Sequence, residues 1–491
     1  MKRKEFIKTG IVVGTGLTLP LRSYSNILGA NDQIRVGIVG VGSNIKIGGK
    51  GKGEIRAYQQ MEGVKVTAIC DCDVDILRKE ESEFKKRNEN VKTYTDFRKL
   101  LDDKDIDVIN ITTPNHSHAL ITVMACQAGK DVFCQKPASH NIWEGRKMVE
   151  AAEKYRRIVQ IPSNSRESDG LKQASEFARA GNLGKLLFVH GINYKQRQSI
   201  GKVIGEQPIP KSVDYNLWSG PAPMKPLMRE YLHYDFHWDW DTGNGELGNM
   251  GIHYMDGCRI ALGADSLPKT VISLGGRFGY DDDGETPNTQ IVFLDYEIAP
   301  IVFEVRGLPS DYLFRQGRWD INSSIKMDKR FGIDLGVIMY CEDGYVINDS
   351  AYENNGKLIR KFKNTSENNR ANFISTVRSR DAKSQNASVL DGHLSAALVH
   401  MGNISLRVGN EKSNNEIRER IKEEKSLEES FERLDNHLYA NRIDLKKTPV
   451  KLGPVLQFDP QKERFTGDLS NEANKYITRD YRKPFEIPDL V

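Results

Sequence analysis

Lys136, Asn249 and His253 are the residues of this chain whose types and spacing could do chemistry on a hydroxyl group. Lys136 closes Asp131-Val-Phe-Cys-Gln-Lys-Pro137, where a short apolar strand ends. Asn249 and His253 stand four residues apart in Gly245-Glu-Leu-Gly-Asn-Met-Gly-Ile-His-Tyr-Met-Asp256, which reads as a helix, so both project from one face. Removing a hydride from a carbinol carbon leaves positive charge on it unless the hydroxyl proton departs too. An unperturbed imidazole titrates near ~6.5 and suits the task of proton acceptor. An ammonium can hydrogen-bond the same hydroxyl and stabilise developing alkoxide charge. Asn249 can hold a neighbouring hydroxyl but cannot take a proton. The sequence therefore predicts His253 as the base, Lys136 as its assistant and Asn249 beside them.

Such groups need elements to position them, and the pattern from Asn31 supplies these. Ile34–Val39 and Val64–Cys70 read as strands, followed by Asp107–Thr112, Asp131–Cys134 and Arg157–Ile161, with helical stretches between them. Strands alternating with helices predict a parallel sheet covered on both faces. Gly40-Val-Gly42 follows the first strand directly, where a glycine turn lets backbone N–H groups approach a pyrophosphate. The full G-x-G-x-x-G fingerprint is not met, because Ile45 stands where its third glycine belongs. Asp71, at the end of the second strand, comes 31 positions after Gly40, against roughly 20 in the usual pattern. A glycine-rich insertion within Ser43 to Gly53 accounts for the excess, so the turn is lengthened rather than absent. Asp71 can accept hydrogen bonds from ribose hydroxyls and would repel a 2′-phosphate, and no Arg or Lys follows it before Arg78; NAD is expected over NADP. Thr112-Thr113-Pro114-Asn115-His116 ends another strand at the carboxyl edge, where ligands of open α/β sheets bind. Thr113, Pro114, Asn115 and Gln135 join Gly40, Gly42, Asp71 and Lys136 as candidate cofactor contacts.

Beyond Ser165 the rhythm changes. A long Pro- and Trp-rich passage from Lys202 to Thr242 precedes the His253 helix, and successive extended runs after it predict an antiparallel sheet. The fold expected is an α/β Rossmann domain over 31–163, then an α+β domain with an open, mainly antiparallel sheet over 164–491. The tail from Asn410 reads as charged and loop-rich and ends in an ordered motif, Asn471-Glu-Ala-Asn to Phe485. Tyr231, His237, Trp238 and Asp241 belong to the densest aromatic–polar cluster, the equipment for gripping a sugar ring. Its His and Asp spacing fits no closed metal site, and no metal is expected.

At 491 residues the chain exceeds one hydrophobic core. A net charge of +4, with no basic cluster interleaved with aromatics, argues against nucleic acid as partner. Lys2-Arg3-Lys4-Glu5-Phe6-Ile7-Lys8 ahead of the apolar run Thr9–Leu21 reads as an export signal over 1–30. It resembles a twin-arginine signal with lysine for the second arginine, and the run is too short for a stable membrane span. A periplasmic location is expected. The six cysteines show no metal-ligand spacing, which suits folding and cofactor loading in a reducing compartment before export.

Gly-Val-Gly after the first strand, Thr-Pro-Asn-His, the Lys-Pro strand end and the Gly-rich helix with Asn249 and His253 together resemble the Gfo/Idh/MocA oxidoreductases, the family of glucose–fructose oxidoreductase and inositol dehydrogenase. Gly275-Gly-Arg-Phe-Gly-Tyr280, Asp283-Gly-Glu-Thr-Pro-Asn-Thr289 and Asn471-Glu-Ala-Asn resemble an exported bacterial subgroup. The resemblance implies that Lys136 matches the lysine of the family's Glu-Lys-Pro beside the nicotinamide, and His253 its catalytic histidine. Gln135 departs from the glutamate and Asn249 from an aspartate found in many members. The activity so implied is NAD-dependent oxidation of a secondary hydroxyl of a sugar or glycoside, with carbon 3 as one position and the cofactor tightly bound. Two other readings are an NAD-dependent glycosidase working by oxidation, elimination and re-reduction, and a non-catalytic sugar-binding protein. The open sheet implies a homo-oligomer.

Overall fold

Short β-branched runs separated by helices make the first layer. Strands β1 (Ile34–Val39), β2 (Val64–Cys70), β3 (Lys92–Tyr94), β4 (Val108–Ile111), β5 (Asp131–Cys134) and β6 (Val159–Gln160) pair in the order β3-β2-β1-β4-β5-β6, every pair parallel. Helices α1 (Lys50–Gln59), α2 (Val74–Lys86), α3 (Phe97–Leu101), α4 (His118–Gln127) and α5 (Ile142–Tyr155) connect them. Strands β4 and β5 are buried along their whole length, which is why they read as unbroken apolar runs. Side chains cap α2 and α5 where they leave the carboxyl edge: Asp73 accepts from Asp75 N, and Asn141 from Glu144 N. The strand order reverses between β1 and β4, and that switch point opens the crevice of the site.

The computed structural model describes residues 33–43, 48–312, 325–365 and 368–488. The export-signal reading of 1–30 and the reading of Ile45 fall outside the described residues. Among the described residues no helix is long and apolar enough to cross a membrane, and all six cysteines are free thiols.

The second lobe begins with α6 (Asp169–Arg179) and β7 (Leu186–Tyr194), then α7 (Tyr215–Ser219), a π-helical turn at Leu247–Gly251 and α8 (Ile252–Leu262). Strands β8 (Thr270–Gly276), β9 (Thr289–Asp295), β10 (Ile301–Arg306), β11 (Leu335–Cys341), β12 (Gly344–Ile347), β13 (Ser350–Glu353) and β14 (Leu358–Lys361) follow. The chain continues through α9 (Asn369–Ser379), α10 (Val389–Val408), β15 (Asn410–Lys412), α11 (Asn414–Ile421) and α12 (Lys425–Ala440). It closes with β16 (Val450–Leu452), β17 (Leu456–Asp459), β18 (Arg464–Thr466) and α13 (Ser470–Asn474). Strands β7 to β18 form one twelve-stranded sheet, antiparallel except where β10 lies parallel to β7. Helices α8 and α10 pack on one face, and α10 also packs on α5, so a single apolar core runs through both lobes.

The tail differs from the sequence expectation. Leu427, Phe431, Leu434 and Leu438 of α12 and Ile417 and Ile421 of α11 are buried against Ile272, Leu274, Ile291, Phe293 and Val302 of β8–β10. Their helical spacing is masked in the sequence by the charged residues between them. The chain thus covers with its own helices a face that the open-sheet reading had left for a second copy.

Candidate active site

A cavity of about 630 Å³ lies at the carboxyl edge of the parallel sheet and is walled by both lobes. Gly40, Gly42, Asp71, Thr113, Pro114, Asn115, Gln135, Lys136, His237, Asn249 and His253 all line it. The structure therefore brings the expected cofactor contacts and the three reactive residues to one place. Three expected substrate contacts stand elsewhere. Trp238 is buried with the Arg277 guanidinium 5.9 Å from its ring. Asp241 pairs with Lys225 and faces a smaller cavity of about 250 Å³. Tyr231 is not part of the wall; its carbonyl accepts from Asp235 N at 3.2 Å. A single 3-10 turn, Asp235–Trp238, and the loop around it carry no repeating pattern that tells inward from outward, and between Tyr231 and Thr242 the residues that face the cavity are His233, Tyr234, Phe236 and His237.

The nucleotide end fits a dinucleotide. Gly40 (φ 87°) and Gly42 (φ 145°) adopt conformations that L side chains rarely take, and a Cβ on Gly40 would lie 2.8 Å from the Thr113 nitrogen. Gly51 is the third glycine that the spacing hid. A Cβ there would lie 2.1 Å from the Gly40 carbonyl oxygen and 2.6 Å from that of Val41, so only glycine lets α1 approach β1 this closely. Lys52 N donates to Val41 O at 2.9 Å and closes the enlarged turn. Asp71 accepts from Val41 N at 2.8 Å and Asp73 N at 3.0 Å, and burial raises its pKa. Among the described residues Thr113 Oγ1 is buried without a hydrogen-bond partner, a hydroxyl that a ligand in the cavity could engage. The Lys202–Thr242 passage closes over this end: Val74 N donates to Ser212 O, Asp214 N to Cys72 O, and His233 Nε2 lies 3.1 Å from Asp73 Oδ2.

At the other end, Lys136 Nζ donates to the backbone carbonyl of Asn249 within the π-helical turn, a distortion frequent at functional sites. Burial pushes the Lys136 ammonium down to about 8 despite the nearby Glu246. Asn249 Nδ2 donates to Glu246 Oε2 at 3.2 Å, and the fully buried Glu246 is gripped by Arg197 and by Asn193 Nδ2 at 3.1 Å. His253 Nδ1 accepts from Asn164 N at 3.1 Å. Burial and the Lys136 charge hold its pKa well below the ordinary value, so the ring is neutral with its single proton on Nε2. The expectation of His253 as base is corrected on this point: an Nε2 that carries the proton is a donor. His237 is set the other way. Its Nδ1 lies 2.7 Å from Tyr234 O, which leaves Nε2 as an acceptor, but burial lowers its pKa to about 3 and makes it a weak base.

The loop that carries Asn164 is itself pinned. Asp256, one turn after His253, accepts from Ser163 Oγ at 2.5 Å, Arg166 Nε at 2.9 Å and Ser395 Oγ at 2.7 Å. Gln135 Nε2 donates to the buried Glu54 Oε1 at 3.3 Å. A glutamate at 135 would face Glu54 as a like charge, which accounts for the amide at this position.

Comparison with known proteins follows the same division. Residues 34–163 match the model of the oxidoreductase family with NAD-binding Rossmann fold, and residues 183–283 match that family's C-terminal alpha/beta domain. The chain belongs to the Gfo/Idh/MocA oxidoreductase family, and its N-terminal lobe is an NAD-binding Rossmann domain. It is 32% identical over 163 residues to inositol 2-dehydrogenase of Salmonella typhimurium, 33% of this chain and 46% of that protein. It is 28% identical over 179 residues to levoglucosan dehydrogenase of Pseudarthrobacter phenanthrenivorans, 36% of this chain and 39% of the relative. A glycosyl hydrolase family 109 protein of Shewanella sp. strain ANA-3 is 27% identical over 223 residues, 40% of this chain and 48% of the relative. The chain thus spans about half the length of the curated relatives it matches. The WlbA dehydrogenase of Bordetella pertussis, solved with NADH and UDP-GlcNAcA, shares the fold with TM-score 0.52 at 16% identity, over 76% of this chain and 97% of that one.

Proposed function

We propose that the protein is an NAD-dependent oxidoreductase acting on a secondary hydroxyl of a sugar or glycoside. The observation that carries this reading is Lys136 beside His253 on the wall of the cavity that begins at the Gly40–Gly42–Gly51 turn. Bound NAD supplies the hydride acceptor. A neutral Lys136 Nζ takes the hydroxyl proton while one N–H stays on Asn249 O, the carbinol C–H departs as hydride, and a carbonyl forms. His253 Nε2–H donates to the same oxygen as charge develops on it, and Asn249 Oδ1 accepts from a neighbouring hydroxyl. Lys136 with a pKa of about 8 is a better proton acceptor near neutrality than His237 at about 3.

Relatives named inositol 2-dehydrogenase and levoglucosan dehydrogenase support a polyol or sugar substrate. Carbon 3 of a glycoside is the position we propose, because a ketone there acidifies the neighbouring C–H and prepares elimination of the aglycone. The proposal includes export to the periplasm, a retained cofactor reoxidised by a second sugar, and assembly as a homo-oligomer. A second reading, net glycoside cleavage through the same oxidation, is favoured by the family 109 relative. Adding methyl glucoside to purified protein without external cofactor tests both. A reduced-nicotinamide absorption band with an intact keto-glycoside supports oxidation, and free sugar without net oxidation supports the hydrolase. Binding of the glycoside with neither outcome would overturn the catalytic reading in favour of a sugar-binding protein.

A further inference from the structure

Glu54 gathers the cations of the nucleotide crevice. It lies one turn into α1 with 1% of its surface exposed. Lys50 Nζ stands 2.9 Å from its Oε1 and Arg370 Nε 3.4 Å from its Oε2. Gln135 Nε2 and Asn110 Nδ2 donate to the same carboxylate, each at 3.3 Å. Lys50 comes from the start of α1 and Arg370 from the start of α9, so one buried anion ties the Rossmann lobe to a helix outside both family matches.

Two cations on one carboxylate leave a surplus positive charge, and it faces the cavity. The Lys and Arg residues among the described wall are Lys50, Lys136 and Arg370, and Lys136 is engaged by Asn249 O. Lys50 and Arg370 keep 57% and 30% of their side chains exposed. The terminal amino groups of Arg370 have no hydrogen-bond partner among the described residues. Helix α9 holds that guanidinium in place. Its Phe373 ring lies 5.3 Å from that of Phe133, Arg378 Nη2 donates to Glu62 O at 3.1 Å, and Asn369 Nδ2 donates to Ser163 O at 3.0 Å.

A dinucleotide carries its negative charge on the pyrophosphate, and the glycine turn with the α1 amino end already offers backbone N–H groups there. A guanidinium adds a planar fork matched to two phosphate oxygens, and an ammonium adds a point charge. We propose that Arg370 and Lys50 bind the pyrophosphate of the nucleotide, with Glu54 positioning both, so that the nucleotide is held by the two lobes together. This inference rests on the NAD-dependent reading above.

The test is calorimetric titration of the full-length protein, stripped of nucleotide, with ADP-ribose and with adenosine, which lacks phosphate. Arg370→Gln is expected to weaken ADP-ribose by about tenfold or more, the worth of a charge-assisted hydrogen bond, and to leave adenosine unchanged. Lys50→Gln is expected to give a smaller loss, and Arg370→Lys an intermediate one, because charge survives without the fork. Wild-type protein that binds no ADP-ribose overturns the nucleotide reading and this inference with it. Wild-type binding that is matched by Arg370→Gln and Lys50→Gln overturns the inference alone. Should Arg370→Gln fail to fold, Arg370→Lys and Lys50→Gln decide in the same way. If Arg370→Gln leaves ADP-ribose unchanged but raises KM for an acidic sugar, the cation serves the substrate and the inference is overturned.

Discussion

The backbone N–H of Asn164 lies 3.1 Å from Nδ1 of His253 and points its proton at the ring. That contact chooses the tautomer. Nitrogen NMR of labelled protein should show His253 neutral with its proton on Nε2 from about pH 5 to 8, the range in which a free histidine titrates. A proton on Nδ1 would contradict the assignment. His253→Ala should lower kcat/KM by about 10²–10³, as loss of an oxyanion donor does. His253→Gln should recover part of it, since an amide N–H can donate from a similar place.

Lys136 makes the opposite demand, because it must lose a proton before it can take one. Its folded pKa, about 8, lies below the ordinary lysine value. Oxidation should therefore rise with pH through about 8 and level off above it, while reduction of the ketone, which needs the ammonium, should fall over the same window. Lys136→Ala should remove about 10²–10⁴ of kcat. Lys136→Arg should be as poor, because a guanidinium stays protonated at these pH values. Initial-rate profiles in both directions check the sign.

Gln135→Glu would set a second carboxylate against the buried Glu54, where Gln135 Nε2 now donates at 3.3 Å. A loss of about 1–3 kcal/mol is expected from the broken hydrogen bond and the repulsion between two adjacent carboxylates. Thermal unfolding of Gln135→Glu, Glu54→Gln and the double variant measures it. The double variant exchanges amide and acid and should be more stable than the two single losses sum to.

Gly51→Ala is the sharpest test of the enlarged turn. The added Cβ would meet the Gly40 carbonyl oxygen at 2.1 Å, so α1 must move away from β1. About 1–3 kcal/mol of destabilisation and a clear fall in NAD affinity by calorimetry are expected. Gly53→Ala is the control, because no atom of the described residues lies within 4 Å of a Cβ there.

Sequence patterns located the crevice and most of its wall, because strand ends and glycine turns leave short-range signatures. The third glycine was hidden by an insertion, and it could have been found by placing the fingerprint at the start of α1 rather than at a fixed count. Glu54, Glu246, Asn164 and Arg370 left no such trace. Their roles come from contacts between distant segments, such as the pairing of Arg370 with Glu54 across 316 positions. The tautomer of His253 was equally illegible, since a backbone amide of any residue type could set it. Tyr231, Trp238 and Asp241 fall off the wall because one 3-10 turn and the loop around it hold no repeating side-chain pattern to read. Helix α12 was missed because charge masked its apolar stripe.

The roof that α11 and α12 lay over β8–β10 changes what kind of neighbour this molecule can accept. Leu274, Phe293 and Val302 are already sealed by Phe431, Leu434 and Leu438 of the same chain. A lone sheet face is adhesive, and here the adhesive has been spent internally. The homo-oligomer proposed above would then have to join through surface the roof leaves uncovered, such as that around Phe331, Tyr345 and Tyr352, whose rings stack at 4.8 and 5.2 Å.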